Sequence, residues 1–132
     1  MDIRFQLVAY ARQIAVYRGY TSLISGLQPL SVLLSKRARE QEELAEVMAT
    51  KTPLHVLHEA AVMLYFTACI AFLDESDSEW QETEDYLAIL GIDVAHAEKA
   101  ALAKYGWRAE QAGNKDEAYE LSLIEVAIRK AT

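Results

Sequence analysis

The sequence predicts an all-α protein: a helical bundle of five to six helices with antiparallel neighbours, in a single domain over residues 1–132. Three observations predict it. Only two prolines and five glycines interrupt the chain. Apolar residues recur at three- and four-residue spacing, the period of one helix face. No alternation of polar and apolar residues lasts long enough to suggest a sheet, and the gaps between periodic segments are short, which favours antiparallel neighbours.

The first helix runs from about Asp2 to Arg18, with Ile3, Leu7, Tyr10, Ile14 and Tyr17 as its apolar stripe, and Gly19 ends it. The stretch GYTSLISGLQ reads as a loop or a short helix. The second helix starts near Pro29, a residue suited to a first turn, and runs to about Thr50. Its expected core stripe is Leu30, Leu33, Leu34, Gln41, Leu44, Ala45 and Met48. The third helix opens on Thr52 as N-cap with Pro53 behind it and continues to about Leu73. It is apolar nearly all round, as a central bundle helix is. Ser78 with Gln81 reads as a capping box for a fourth helix, which Gly91 closes. Asp93 caps a fifth, with a bend or pause at Gly106 and a stop at Gly113. Asn114 with Glu117 reads as the cap of the last helix.

Composition bounds the function. The chain has 13 basic and 20 acidic residues, a net charge of −7. That balance argues against DNA, RNA or an anionic membrane surface as a partner. A small anionic ligand stays open, because a bound divalent cation reverses the local sign. The single cysteine, Cys69, has no internal disulfide partner, which points to a reducing, cytoplasmic setting. MDIRFQLVAYARQ lacks the charged head, apolar stretch and cleavage site of a signal peptide. The apolar uncharged run from Ala60 to Leu73 is 14 residues, short of the roughly 20 a membrane span needs. The sequence therefore reads as a soluble protein.

The chemistry-bearing residues fall in EQEELAEVM, residues 40–48, and HVLHEAAVMLYF, residues 55–66. At about 100° per residue, Glu42, Glu43 and Glu46 share one side of the second helix, opposite its expected apolar stripe. Alone, that is the pattern of a solvated acidic face, supported by three- and four-residue ion pairs to Lys36, Arg37 and Arg39. Glu59 differs. It sits one turn after His55 on the face continued by Val62 and Phe66, inside an apolar helix. A carboxylate there needs a partner. A bond to His55, Arg12 or Arg18 is one answer. A hydrated Mg²⁺ shared with the glutamates of the second helix is another.

His55, His58 and Glu59 could together hold a transition metal, but the order His-x-x-His-Glu is not the zincin order. Asp74, Ser76 and Ser78 imitate the start of an EF-hand loop, with Glu79 where the turn glycine belongs. There is no glycine-rich phosphate loop, LISGLQ is not a nucleophile elbow, and apolar surroundings make a reactive Cys69 thiolate unfavourable.

Glu-Glu-x-x-Glu on one helix, then Glu-Ala-Ala and Leu-Tyr on the next, resembles the all-α nucleotide pyrophosphohydrolases. That superfamily includes the MazG-like enzymes and phosphoribosyl-ATP pyrophosphohydrolase. EELAEVM and VLHEAAVMLYF are most similar to the latter; GYTSLISGL resembles its SYT segment, and LGIDVAHAEKAALAKYGWR its final helix. The resemblance spans about residues 20–108. It implies a helical bundle assembled as a homodimer or larger homo-oligomer. It also implies Mg²⁺-dependent (or Mn²⁺-dependent) hydrolysis of the α–β phosphoanhydride bond of a nucleotide or phosphoribosyl nucleotide. The implied metal ligands are Glu42, Glu43, Glu46 and Glu59, with Glu43 and Glu46 as catalytic carboxylates. Lys104 and Arg108 are the implied contacts to substrate phosphates. The family's second motif, Glu-x-x-Asp, has Val62 in place of its aspartate, and an insertion, DESDSEWQETED, follows it. Asp74, Asp77, Glu82 and Asp85 are the acids there that would have to substitute. The competing expectation is a catalytically silent bundle that binds a protein partner through its acidic surface.

Overall fold

The computed structural model describes residues 2–19, 26–50 and 52–131. Residues 20–25, the heart of the stretch read as loop or short helix, lie outside the described residues. The described residues form six helices and no strand: α1 (Ile3–Arg18), α2 (Leu30–Thr50), α3 (Pro53–Asp74), α4 (Asp77–Ile89), α5 (Val94–Glu110) and α6 (Glu117–Ala131). The all-α bundle expected from periodicity is the fold observed.

Local chemistry sets most of the boundaries. Asp2 accepts from the backbone N–H of Arg4 at the start of α1, and Gly19 closes it at φ 70°. Such a left-handed turn suits glycine because it has no Cβ to clash. Thr52 caps α3 with Pro53 in the first turn, and Asp93 caps α5 through the N–H of His96. Two caps differ from expectation. Ser76, not Ser78, caps α4 by accepting from the Ser78 N–H. At α6, Asn114 accepts from Asp116, and Asp116 accepts from Tyr119 in the first turn. Both segments hold several capping-competent residues in a row, so the sequence pattern cannot choose the register. Gly106 does not interrupt α5. Its missing side chain lets the Tyr10 ring approach, 3.5 Å from where a Cβ would stand.

The helix α3 is the hub and packs against all five others; α5 is the second hub, touching α1, α3, α4 and α6. Alanines make this possible. Ala60, Ala61 and Ala68 on α3 and Ala97, Ala100 and Ala101 on α5 are essentially fully buried. Small side chains at a contact shorten the distance between helix axes. Leu44, Leu64, Leu87 and Ile124 fill the remaining space, each contributing about 1.5–3 kcal/mol by leaving water. By length and apolarity α3 alone among the described helices could cross a membrane, but 56% of its most apolar window is buried against its neighbours. One of its buried polar groups, Thr67, is satisfied. The Thr67 hydroxyl lies 2.8 Å from the Met63 carbonyl and 2.9 Å from the Thr83 hydroxyl of α4.

Among the described helices α2 packs on α3 alone. It is also pinned to α4 by Arg37, which donates to Glu79 at 2.6 Å. Its buried face is not the one expected. Leu33 and Leu44 are buried and Leu30 and Val47 pack against the core, but Leu34, Gln41, Ala45 and Met48 are exposed. The inward stripe is Leu30, Leu33, Arg37, Glu40, Leu44 and Val47, an unbroken three–four alternation. Two of its central positions are charged, and that departure from an ordinary core stripe opens the cleft described next.

Candidate metal and anion cleft

Because α2 leans on α3 only, a cleft of about 450 Å³ remains between α2, α3, α5 and the inner face of α1. One wall is acidic. Glu40 and Glu43 point in from α2 and Glu59 from α3, and one carboxylate oxygen of each lies within 4.8 Å of the other two. The opposite wall, from α5, is basic, with Lys104 and Arg108 at four-residue spacing on the same face. Lys36 of α2 and the rings of Tyr65 and Phe66 also line the space. Tyr65 is held by stacking on the buried Tyr105 at a centroid distance of 3.7 Å.

The acidic trio is under electrostatic strain. Burial, then the facing carboxylates of Glu59 and Glu43, push the Glu40 carboxyl up to about 8. One Glu40 oxygen is buried with no hydrogen-bond partner among the described residues. Glu43 has partial compensation from Arg39, whose Nε lies 3.2 Å away on the exposed side. Three converging carboxylates with an unsatisfied buried oxygen are a costly arrangement for a protein alone. An all-oxygen donor set of this kind suits a hard divalent cation such as Mg²⁺ or Mn²⁺.

The basic wall is more deeply buried. Lys104 is 1% exposed, and its ammonium lies 3.0 Å from Nε2 of His58. Burial, then the nearby Arg108 cation, lowers the Lys104 amine to about 8, with Glu120, Glu59 and Glu40 pulling the other way. Arg108 donates through Nε (2.5 Å) and Nη2 (2.8 Å) to the fully buried carboxylate of Glu120 on α6. Much of its donor capacity therefore serves the fold.

No family model, curated protein or solved structure matches the chain.

Of the residues singled out in the sequence, Glu43, Glu59, Lys104 and Arg108 all line the cleft. Glu42 and Glu46 are exposed, and the carboxylate group found among the described residues does not include them. Its third member is Glu40, which sequence reasoning left unassigned. The signal was present: Glu40 and Glu43 are spaced as Glu-x-x-Glu, and Glu40 interrupts the apolar stripe of α2. Val62 also lines the cleft, buried to 8% exposure. The acids of the insertion do not line it. Asp77 pairs with Arg4 at 2.6 Å, Asp85 accepts from Gln81, and Asp74 and Glu82 are exposed.

The histidines do not join the trio. His55 bonds through Nδ1 to the Thr52 hydroxyl at 2.9 Å. A metal on Nε2 of His58 would compete with the Lys104 cation. Burial alone pushes the Cys69 thiol up to about 12, so it stays a neutral side chain in the cleft wall.

Proposed function

We propose that the cleft binds a divalent cation on Glu40, Glu43 and Glu59 and hydrolyses the α–β phosphoanhydride bond of a nucleotide or phosphoribosyl nucleotide. The observation that carries this reading is the pairing of a strained carboxylate trio with a buried cationic wall across one cleft. A phosphate ester with its counter-cation has the same split of charge. The cation, when bound, neutralises phosphate charge and lowers the pKa of an attacking water. The protein's own groups supply the rest. Glu40, Glu43 and Glu59 would hold the ion. Glu43, which pairs with Arg39 on its exposed side, would serve as general base. Lys104 faces the phosphate oxygens as a desolvated cation, where its attraction is stronger than in water. The resemblance of the two glutamate-bearing helices to nucleotide pyrophosphohydrolases supports the same reaction. Assembly into a homo-oligomer belongs to this proposal on the same ground.

One observation favours a second reading. Val62 stands on the cleft wall where the resemblance requires an aspartate. A bundle lacking that ligand could keep the binding site and lose turnover, acting as a regulatory or protein-binding module.

The test is a panel of nucleoside triphosphates and phosphoribosyl nucleotides incubated with the protein and Mg²⁺ or Mn²⁺, with products followed by ³¹P NMR. The expected result is release of pyrophosphate and a monophosphate, abolished by chelator. Absence of pyrophosphate from every compound would overturn hydrolysis; binding without release would leave the second reading.

A further inference from the structure

We infer that His58 is a ligand-positioning donor, held by Lys104 as the neutral Nδ1–H tautomer, so that the two side chains form an oxyanion subsite apart from the carboxylate trio. The inference deepens the proposed function, which it uses only to choose pyrophosphate as the oxyanion; the donor pair itself requires no metal.

The tautomer follows from donor counting. A lysine ammonium has three donors and no acceptor. At 3.0 Å from the Lys104 nitrogen, His58 Nε2 must therefore accept. A neutral imidazole whose Nε2 accepts carries its proton on Nδ1. The same contact argues against an imidazolium, whose Nε2–H would point at the Lys104 ammonium inside a buried site.

That assignment leaves an unused donor. His58 is 6% exposed, lines the cleft, and its Nδ1 is buried with no hydrogen-bond partner among the described residues. Buried polar groups without partners are rare in folded proteins and call for an explanation. The second donor set lies beside it, since the Lys104 ammonium spends one of its three protons on Nε2. Arg108, also in the cleft lining, is neutralised by Glu120. His58 and Lys104 thus bring hydrogen-bond donors to the cleft, while its carboxylate acceptors are Glu40, Glu43 and Glu59. The ligand it recognises is one that only accepts hydrogen bonds, which is the chemistry of a phosphate oxygen. Because His58 is neutral, it adds direction without adding charge, and Lys104 supplies the attraction.

The experiment uses the full chain labelled with ¹⁵N-histidine, in chelator, titrated with pyrophosphate. The free protein is expected to show His58 as the Nδ1–H tautomer, and pyrophosphate to shift that nitrogen. His58→Phe, which keeps the ring volume, is expected to weaken pyrophosphate binding about tenfold, one lost hydrogen bond to a charged group. His58→Gln, which restores an N–H, is expected to recover part of it. Lys104→Met is expected to lose binding and the fixed tautomer together. Circular dichroism of each variant checks that the helices remain. An Nε2–H tautomer in the free protein, or His58→Phe binding as tightly as the parent while folded, would overturn the inference. The two claims fail separately. A His58 shift in a protein that hydrolyses nothing leaves the subsite and removes the activity. Hydrolysis in a protein whose His58 ignores pyrophosphate does the reverse.

Discussion

Replacing Arg108 with Met is expected to cost about 3–5 kcal/mol of stability in urea denaturation, the usual loss when one partner of a buried ion pair is removed. Glu120 is fully buried, and Arg108 gives it two hydrogen bonds, at 2.5 and 2.8 Å. Without the guanidinium the carboxylate has no nearby way back to water and must take up a proton or drag α6 away from α5. The double replacement Arg108→Met with Glu120→Leu is expected to recover most of the loss, because an apolar pair of similar volume pays no desolvation cost. A single-variant loss below about 1 kcal/mol, the range of surface pairs, would show that α6 is held by its apolar contacts alone.

The second large effect concerns the carboxylate trio. Glu40 titrates near 8 in the folded chain and near 4.5 when unfolded. A group whose folded pKa is raised contributes stability in full below its unfolded pKa and loses it as pH rises through the folded value. Stability in chelator is therefore expected to fall as pH rises toward 8. Part of the range is masked. His58, lowered from 6.5 to about 3, opposes the trend below pH 6.5. Lys104, lowered from 10.5 to about 8, opposes it above pH 8. The clean window is pH 6.5 to 8. The fall there is about 1 kcal/mol once partial exposure of Glu40 is discounted. Glu40→Gln is expected to flatten it, and saturating Mg²⁺ is expected to flatten it in the parent protein. A parent protein whose stability in chelator rises across that window would contradict the strain assigned to the trio.

How legible all this was in the sequence depended on what each residue competes with. Thr52-Pro53, Asp93 and Gly19 mark helix ends because nothing nearby offers an alternative, and those ends stand where expected. Ser76 and Ser78, or Asn114 and Asp116, are rivals in one short segment, and only packing decides between them. The buried face of α2 differs from its apolar pattern for a physical reason. A stripe that keeps charged residues outward takes in Gln41, Ala45 and Met48 in their place. Allowing Arg37 and Glu40 inside restores a regular heptad-like spacing from Leu30 to Val47. The same holds on α5, where Ala97, Ala101, Lys104 and Arg108 follow that spacing. A charged residue that keeps the core period is a better marker of this cleft than the Glu-Glu-x-x-Glu string, which drew attention one turn too far along α2. The trio itself needed the structure, because Glu59 meets Glu40 and Glu43 only through the α2–α3 contact.

Mn²⁺ titration followed by the electron paramagnetic resonance signal of the free ion tests the cleft most directly, on the parent chain and on single Glu→Gln variants at pH 7.5. The expected result is one Mn²⁺ per chain, with affinity falling at least tenfold in Glu40→Gln, Glu43→Gln and Glu59→Gln and unchanged in Glu42→Gln and Glu46→Gln. No binding by the parent, or a loss that follows Glu42 and Glu46 instead, would contradict the site.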